Sequence, residues 1–117
     1  MTRVDETHSG QTIREAVGET VELSLGERPT TGHLWEVVSD GDPVCSLQGS
    51  SFAPSSGRPG AGGVRRWTFR VDRPGDAEIA LVYRRPWEKA ARGREFRLRV
   101  RGEVSAAQPG GPMGNGV

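Results

Sequence analysis

Cys45 is the one thiol of the chain, and His8 and His33 are the two imidazoles that could activate it. A cysteine nucleophile needs a base within hydrogen-bond reach. His8 belongs to a polar N-terminal stretch and His33 to a turn-rich loop, and neither forms a motif with Cys45. Cys45 therefore reads as a small buried hydrophobe, and with no second cysteine it can form no intrachain disulfide. Two separated histidines and one cysteine lack the ligand spacing of a zinc site. Gly60-Ala61-Gly62-Gly63 is followed by neither the Lys-Ser/Thr pair nor the helix of a phosphate-binding loop. No enzymatic activity, metal or cofactor is expected. Arginines gather from Arg84 to Arg101, but Glu88, Glu95 and Glu103 interrupt them and the net charge is only +1. The stripe reads as a solvated or charge-protected sheet face rather than a nucleic-acid surface, although that alternative stays open.

Recognition chemistry has better candidates. In Arg28-Pro29-Thr30-Thr31-Gly32-His33-Leu34-Trp35, Pro29 fixes one φ angle and Gly32 can take a positive one. The two threonines between them sit on a short, stiff protrusion. Gly60-Ala61-Gly62-Gly63 can bring bare backbone close to a partner, or can simply be a hairpin turn. Arg85-Pro86-Trp87 places an indole in a polar, charged loop where it has no evident packing role. Trp and Arg are the residue types most enriched at binding hot spots.

These three stretches need elements to hold them. Apolar residues are 33% and aromatics 6% of 117 residues, enough for one small core, while Gly 17 and Pro 8 imply many turns and short strands. Alternation marks residues 20–25, with Val21, Leu23 and Leu25 on one face. It marks 34–38 with Trp35 and Val37 inward, and 66–71 with Trp67, Phe69 and Val71 inward. It marks 77–83 through Ile79, Leu81 and Tyr83, and 95–101 through Phe96, Leu98 and Val100 with Arg97, Arg99 and Arg101 outward. Weaker strands are expected at 12–16 and 46–52, and residues 87–94 read as loop. The expectation is all-β: an immunoglobulin-like sandwich of about seven antiparallel strands over residues 11–103. A flexible segment would precede it at 1–10, and a disordered tail would follow at 104–117. If successive strands reverse direction, the connections between the second and third, fourth and fifth, and sixth and seventh strands emerge at one end. Those are the three stretches above.

No apolar run nears the roughly 20 residues that span a bilayer, so no membrane partner is expected. The N-terminus lacks the basic start and apolar run of a signal peptide. That favours a cytoplasmic location unless an upstream segment has been removed. A monomer is expected.

In order and in setting, the three stretches resemble the chagasin family of cysteine protease inhibitors. Its loops read Asn-Pro-Thr-Thr-Gly-aromatic, Gly-x-Gly-Gly and Arg-Pro-Trp. Trp35, two places after His33, fits the same pattern, and the likeness covers residues 18–101. It departs at Arg28, where the family has asparagine, and at His33, where it has tyrosine or phenylalanine. Arginine cannot accept the local hydrogen bonds that asparagine can. The resemblance implies reversible, non-covalent inhibition of papain-like cysteine proteases. It implies contacts from Pro29, Thr30, Thr31, Gly32 and His33, from Gly60, Gly62 and Gly63, and from Arg85, Pro86 and Trp87. The alternative is an immunoglobulin-like interaction module that does not inhibit proteases.

Overall fold

The alternating apolar residues become the facing sides of two four-stranded sheets. The computed structural model describes residues 1–28, 32–55, 62–85, 87 and 94–104. In chain order the strands are β1 (Thr2–Val4), β2 (Thr12–Ala16), β3 (Thr20–Glu27), β4 (Leu34–Asp40), β5 (Cys45–Pro54), β6 (Gly63–Val71), β7 (Gly75–Arg84) and β8 (Glu95–Glu103). One sheet runs β1-β3-β6-β5 and the other β2-β8-β7-β4. Between them lie Val21, Leu23 and Leu25 of β3, Trp67, Phe69 and Val71 of β6, Ile79 and Leu81 of β7, and Phe96, Leu98 and Val100 of β8, all buried. Full burial of each such side chain stabilises the fold by about 1.5–3 kcal/mol relative to exposure. Trp35 and Val37 pack against this core from the edge strand β4, while Arg97, Arg99 and Arg101 face out.

The all-β sandwich is as expected, and two details of it differ. The first ten residues are built into the sandwich rather than left as a flexible segment. β1 pairs parallel to β3, with Val4 opposite Leu23 and 3% exposed. A single 3₁₀ turn, Glu6–His8, then carries the chain across to the second sheet. Asp5 caps that turn by accepting from the Thr7 N–H at 2.9 Å. The bond from the Thr7 hydroxyl first, and then this backbone bond, hold the Asp5 carboxyl below its ordinary range. A three-residue strand with one apolar side chain is too short to show alternation. The second difference follows from the first. There are eight strands, and β1–β3 and β2–β8 are parallel pairs, so each sheet is mixed. The antiparallel ladders β3–β6–β5 and β4–β7–β8 survive intact, and they aim the three connections.

Candidate functional site

β3 ends, β6 begins and β7 ends at one pole of the sandwich, so the connections 28–33, 55–62 and 85–94 all leave from it. Their bases are pinned by backbone bonds. The Ser55 N–H donates to the Gly62 carbonyl at 3.1 Å, and the Tyr83 N–H to the Arg94 carbonyl at 2.8 Å.

Beneath them sits a buried charge. Glu27 continues the inward parity of Val21, Leu23 and Leu25, and it is 3% exposed. A carboxylate so placed must be paired. Its Oε1 accepts from Arg65 Nε and Nη2, both at 2.9 Å, and its Oε2 from the Trp35 N–H at 2.9 Å. The Trp35 indole N–H donates in turn to the Gly26 carbonyl at 2.8 Å. One carboxylate thus ties the end of β3 to β4 in the opposite sheet and to β6 beside it, directly under the first connection.

An aromatic pile stands on this base. The Tyr83 ring lies 4.9 Å from that of Trp35 and is stacked with His33 at 5.4 Å. The Arg94 guanidinium sits 5.2 Å from the Tyr83 ring centre and 5.7 Å from that of Trp35. Cations are attracted to aromatic faces at these distances. The Tyr83 hydroxyl accepts from the Arg28 N–H at 3.0 Å, which fixes the backbone where the first connection departs. Arg28 therefore holds its loop through its main chain, by a bond its side-chain type does not affect.

Two glycines bring the connections together. Gly32 has φ +83°, and a Cβ there would lie 2.9 Å from Cη2 of Trp87. Gly62 has φ +78°, and a Cβ there would lie 2.8 Å from Cγ of Arg28. First and third, and first and second, connections are thus in contact where only a bare backbone fits. Trp87 itself is 70% exposed, with the Arg85 guanidinium 5.9 Å from its ring centre. Together these parts border a cleft of about 710 Å³, lined by Glu27, Arg28, His33, Tyr83, Arg85 and Arg94 around the glycines.

Of the residues singled out in the sequence, Gly32, His33, Gly62, Gly63, Arg85 and Trp87 gather at this pole. Pro29, Thr30, Thr31, Gly60 and Pro86 lie outside the described residues, as do most of residues 87–94, which the sequence reads as loop. Sequence reading missed Glu27, Arg65 and Arg94, and it gave Tyr83 only a packing role. The parity of β3 could have found Glu27, since it falls two residues beyond Leu25 on the buried face. Cys45 is 1% exposed, and burial first, then the charges of Asp72 and Asp40, push its thiol up to about 11. Such a thiol is a packing group rather than a nucleophile. The arginine stripe of β8 is interleaved with acids: Arg97 bridges Glu78 at 3.1 Å and Glu95 at 3.2 Å, and Arg101 lies 3.8 Å from Asp76. Among the described residues no group of three His, Cys, Asp or Glu side chains could hold a metal ion.

Comparison with known proteins finds relatives over most of the chain. Residues 15–100 match the pattern of the chagasin family peptidase inhibitor I42. The chain is 34% identical over 90 residues to chagasin of Trypanosoma cruzi, covering 73% of this chain and 82% of that protein. It is 35% identical over 95 residues to amoebiasin-1 of Entamoeba histolytica, covering 81% and 93%. The solution structure of amebosin superposes with a TM-score of 0.73 at 32% identity, over 88% of this chain and 99% of that one.

Proposed function

The chain belongs to the chagasin family of peptidase inhibitors, and we propose that it blocks papain-like cysteine proteases by wedging the three connections into the active-site cleft. The first connection, with Pro29, Thr30, Thr31, Gly32 and His33, enters over the catalytic Cys–His pair, where the threonines offer backbone and hydroxyl hydrogen bonds. The second, with Gly60, Gly62 and Gly63, lies along the non-primed side, where missing side chains let backbone approach backbone. Trp87 packs on the primed side, with Arg85 and Pro86 shaping its approach. Inhibition is non-covalent and reversible: the one thiol of the chain is buried and holds its proton, so it does not bond to the protease.

The observation that carries this reading is the contact among the connections, Gly32 against Trp87 and Gly62 against Arg28. Loops that brace one another on a rigid sheet lose little freedom on binding, which leaves more of the contact energy as affinity. The test is titration of papain with the purified protein. Activity should fall with increasing inhibitor and return on dilution, with the inhibitor chain uncut. An unaltered papain rate at micromolar inhibitor overturns the reading.

A further inference from the structure

The charge of this molecule is divided between its ends. The connections 28–33, 55–62 and 85–94 carry six basic residues (Arg28, Arg58, Arg85, Lys89, Arg92, Arg94) and one acid (Glu88), a sum of +5. The whole chain is +1, so everything else sums to −4. Ion pairing within the connections leaves that sum unchanged. Among the described residues, the cleft is lined by Arg28, Arg85 and Arg94 and by Glu27, whose carboxylate receives Arg65 and the Trp35 N–H. Where Arg85 and Arg94 meet aromatic rings, the contact leaves their charge in place. The far pole holds Glu19, Asp42 and Asp72 against Arg73 in its own connections, residues 17–19, 41–44 and 72–74. β3, with eight residues, separates the poles by roughly 25 Å. That is about three Debye lengths at physiological salt, so each pole acts as a separate field.

We infer that the loop pole is an electrostatic docking face that selects papain-like proteases whose cleft rim is acidic; this rests on the inhibitor reading above. Carboxylates on the rim would meet the Arg28–Arg85–Arg94 side of the cleft as the wedge enters. The acidic body would orient the inhibitor so that the loops lead. A basic patch confined to one pole and backed by a net negative body fits a local acidic rim. It does not fit an extended polyanion, which would run on over the acidic remainder.

Stopped-flow association with an acid-rimmed papain-like protease, from 20 to 500 mM NaCl, tests this. The association rate should fall at least tenfold while the dissociation rate changes less than twofold. Replacing the rim carboxylates of that protease by amides should remove most of the salt dependence. Arg28→Gln with Arg85→Gln should do the same, and Arg28→Lys with Arg85→Lys should restore it, with melting curves showing all variants folded. Inhibition that is strong but independent of salt and of rim charge overturns the docking face and leaves the inhibitor reading standing. Binding of duplex DNA as tight as that of the protease, competing with it, also overturns it. Absence of inhibition with either protease form removes both.

Discussion

Trp87 and Glu27 belong to the same pole yet differ completely in exposure, 70% against 3%, and their substitutions separate recognition from folding. Removing an exposed indole forfeits few internal contacts. Trp87→Ala should leave the unfolding free energy, read by urea titration, within about 0.5 kcal/mol of the parent. It should weaken inhibition by about 2 kcal/mol, roughly thirtyfold in the inhibition constant. A sharp loss of stability with unchanged inhibition would make Trp87 a packing residue. Glu27→Ala leaves Arg65 and the Trp35 N–H facing a void, and breaking a buried pair in this way costs about 3 kcal/mol, read by denaturation. Cys45 gives a pH signature of its own. Its folded pKa of about 11 lies above the ordinary thiol value of 9.0, so the native state favours the neutral thiol. That stability is complete below about pH 9 and is lost as pH rises through about 11, by an amount on the order of 2–3 kcal/mol. Urea midpoints from pH 8 to 10.5 should fall more steeply for the parent than for Cys45→Ala.

At the scale of elements, β6 and β8 each contain a glycine that the neighbouring chain will not let change. A Cβ on Gly63 would run into the Ala53 carbonyl, and one on Gly102 into the Arg73 carbonyl. Both alanine variants should lose about 1–3 kcal/mol, the usual cost of overpacking. Gly63 opens β6 at the loop pole, whereas Gly102 sits near the far end of β8. Gly63→Ala should therefore also weaken inhibition, and folded Gly102→Ala should inhibit as the parent does. Titration of active inhibitor in the two preparations distinguishes them. β1 offers a parallel case: deleting residues 1–5 uncovers the site of Val4 and should cost about 2 kcal/mol without altering inhibition. The long strands were legible because five or more alternating residues carry the period of two, as in β3 and β8. β1 was not legible, because its partner Leu23 lies in a segment many residues away and its own three residues hold no period.

Over the whole molecule, three connections far apart in the chain act as one surface only because two antiparallel ladders deliver them to one pole. The contact between Gly32 and Trp87 makes this measurable. Gly32→Ala strains a positive φ and displaces the indole, at a cost of about 1 kcal/mol or more to binding. In a Trp87→Ala background much of that loss has no object, so the double variant should bind more tightly than the two single effects predict, by about 1 kcal/mol. Strict additivity in the inhibition constants would mean that the connections work independently.

The sequence by itself determined the all-β class, the inward faces of the long strands and the three motif-bearing connections. Each of these is written in local alternation or in residues confined to one turn. It also fixed the +5 on those connections against −4 elsewhere, since charge is carried by composition alone. Only the tertiary structure decided that Arg65, 38 positions along, is the partner of Glu27. The same holds for Tyr83, whose hydroxyl meets the Arg28 backbone from 55 positions away. A carboxylate on an apolar face is a contradiction until its cation arrives. That arrival depends on strand register, which is set by the pairing of distant segments and has no local signature.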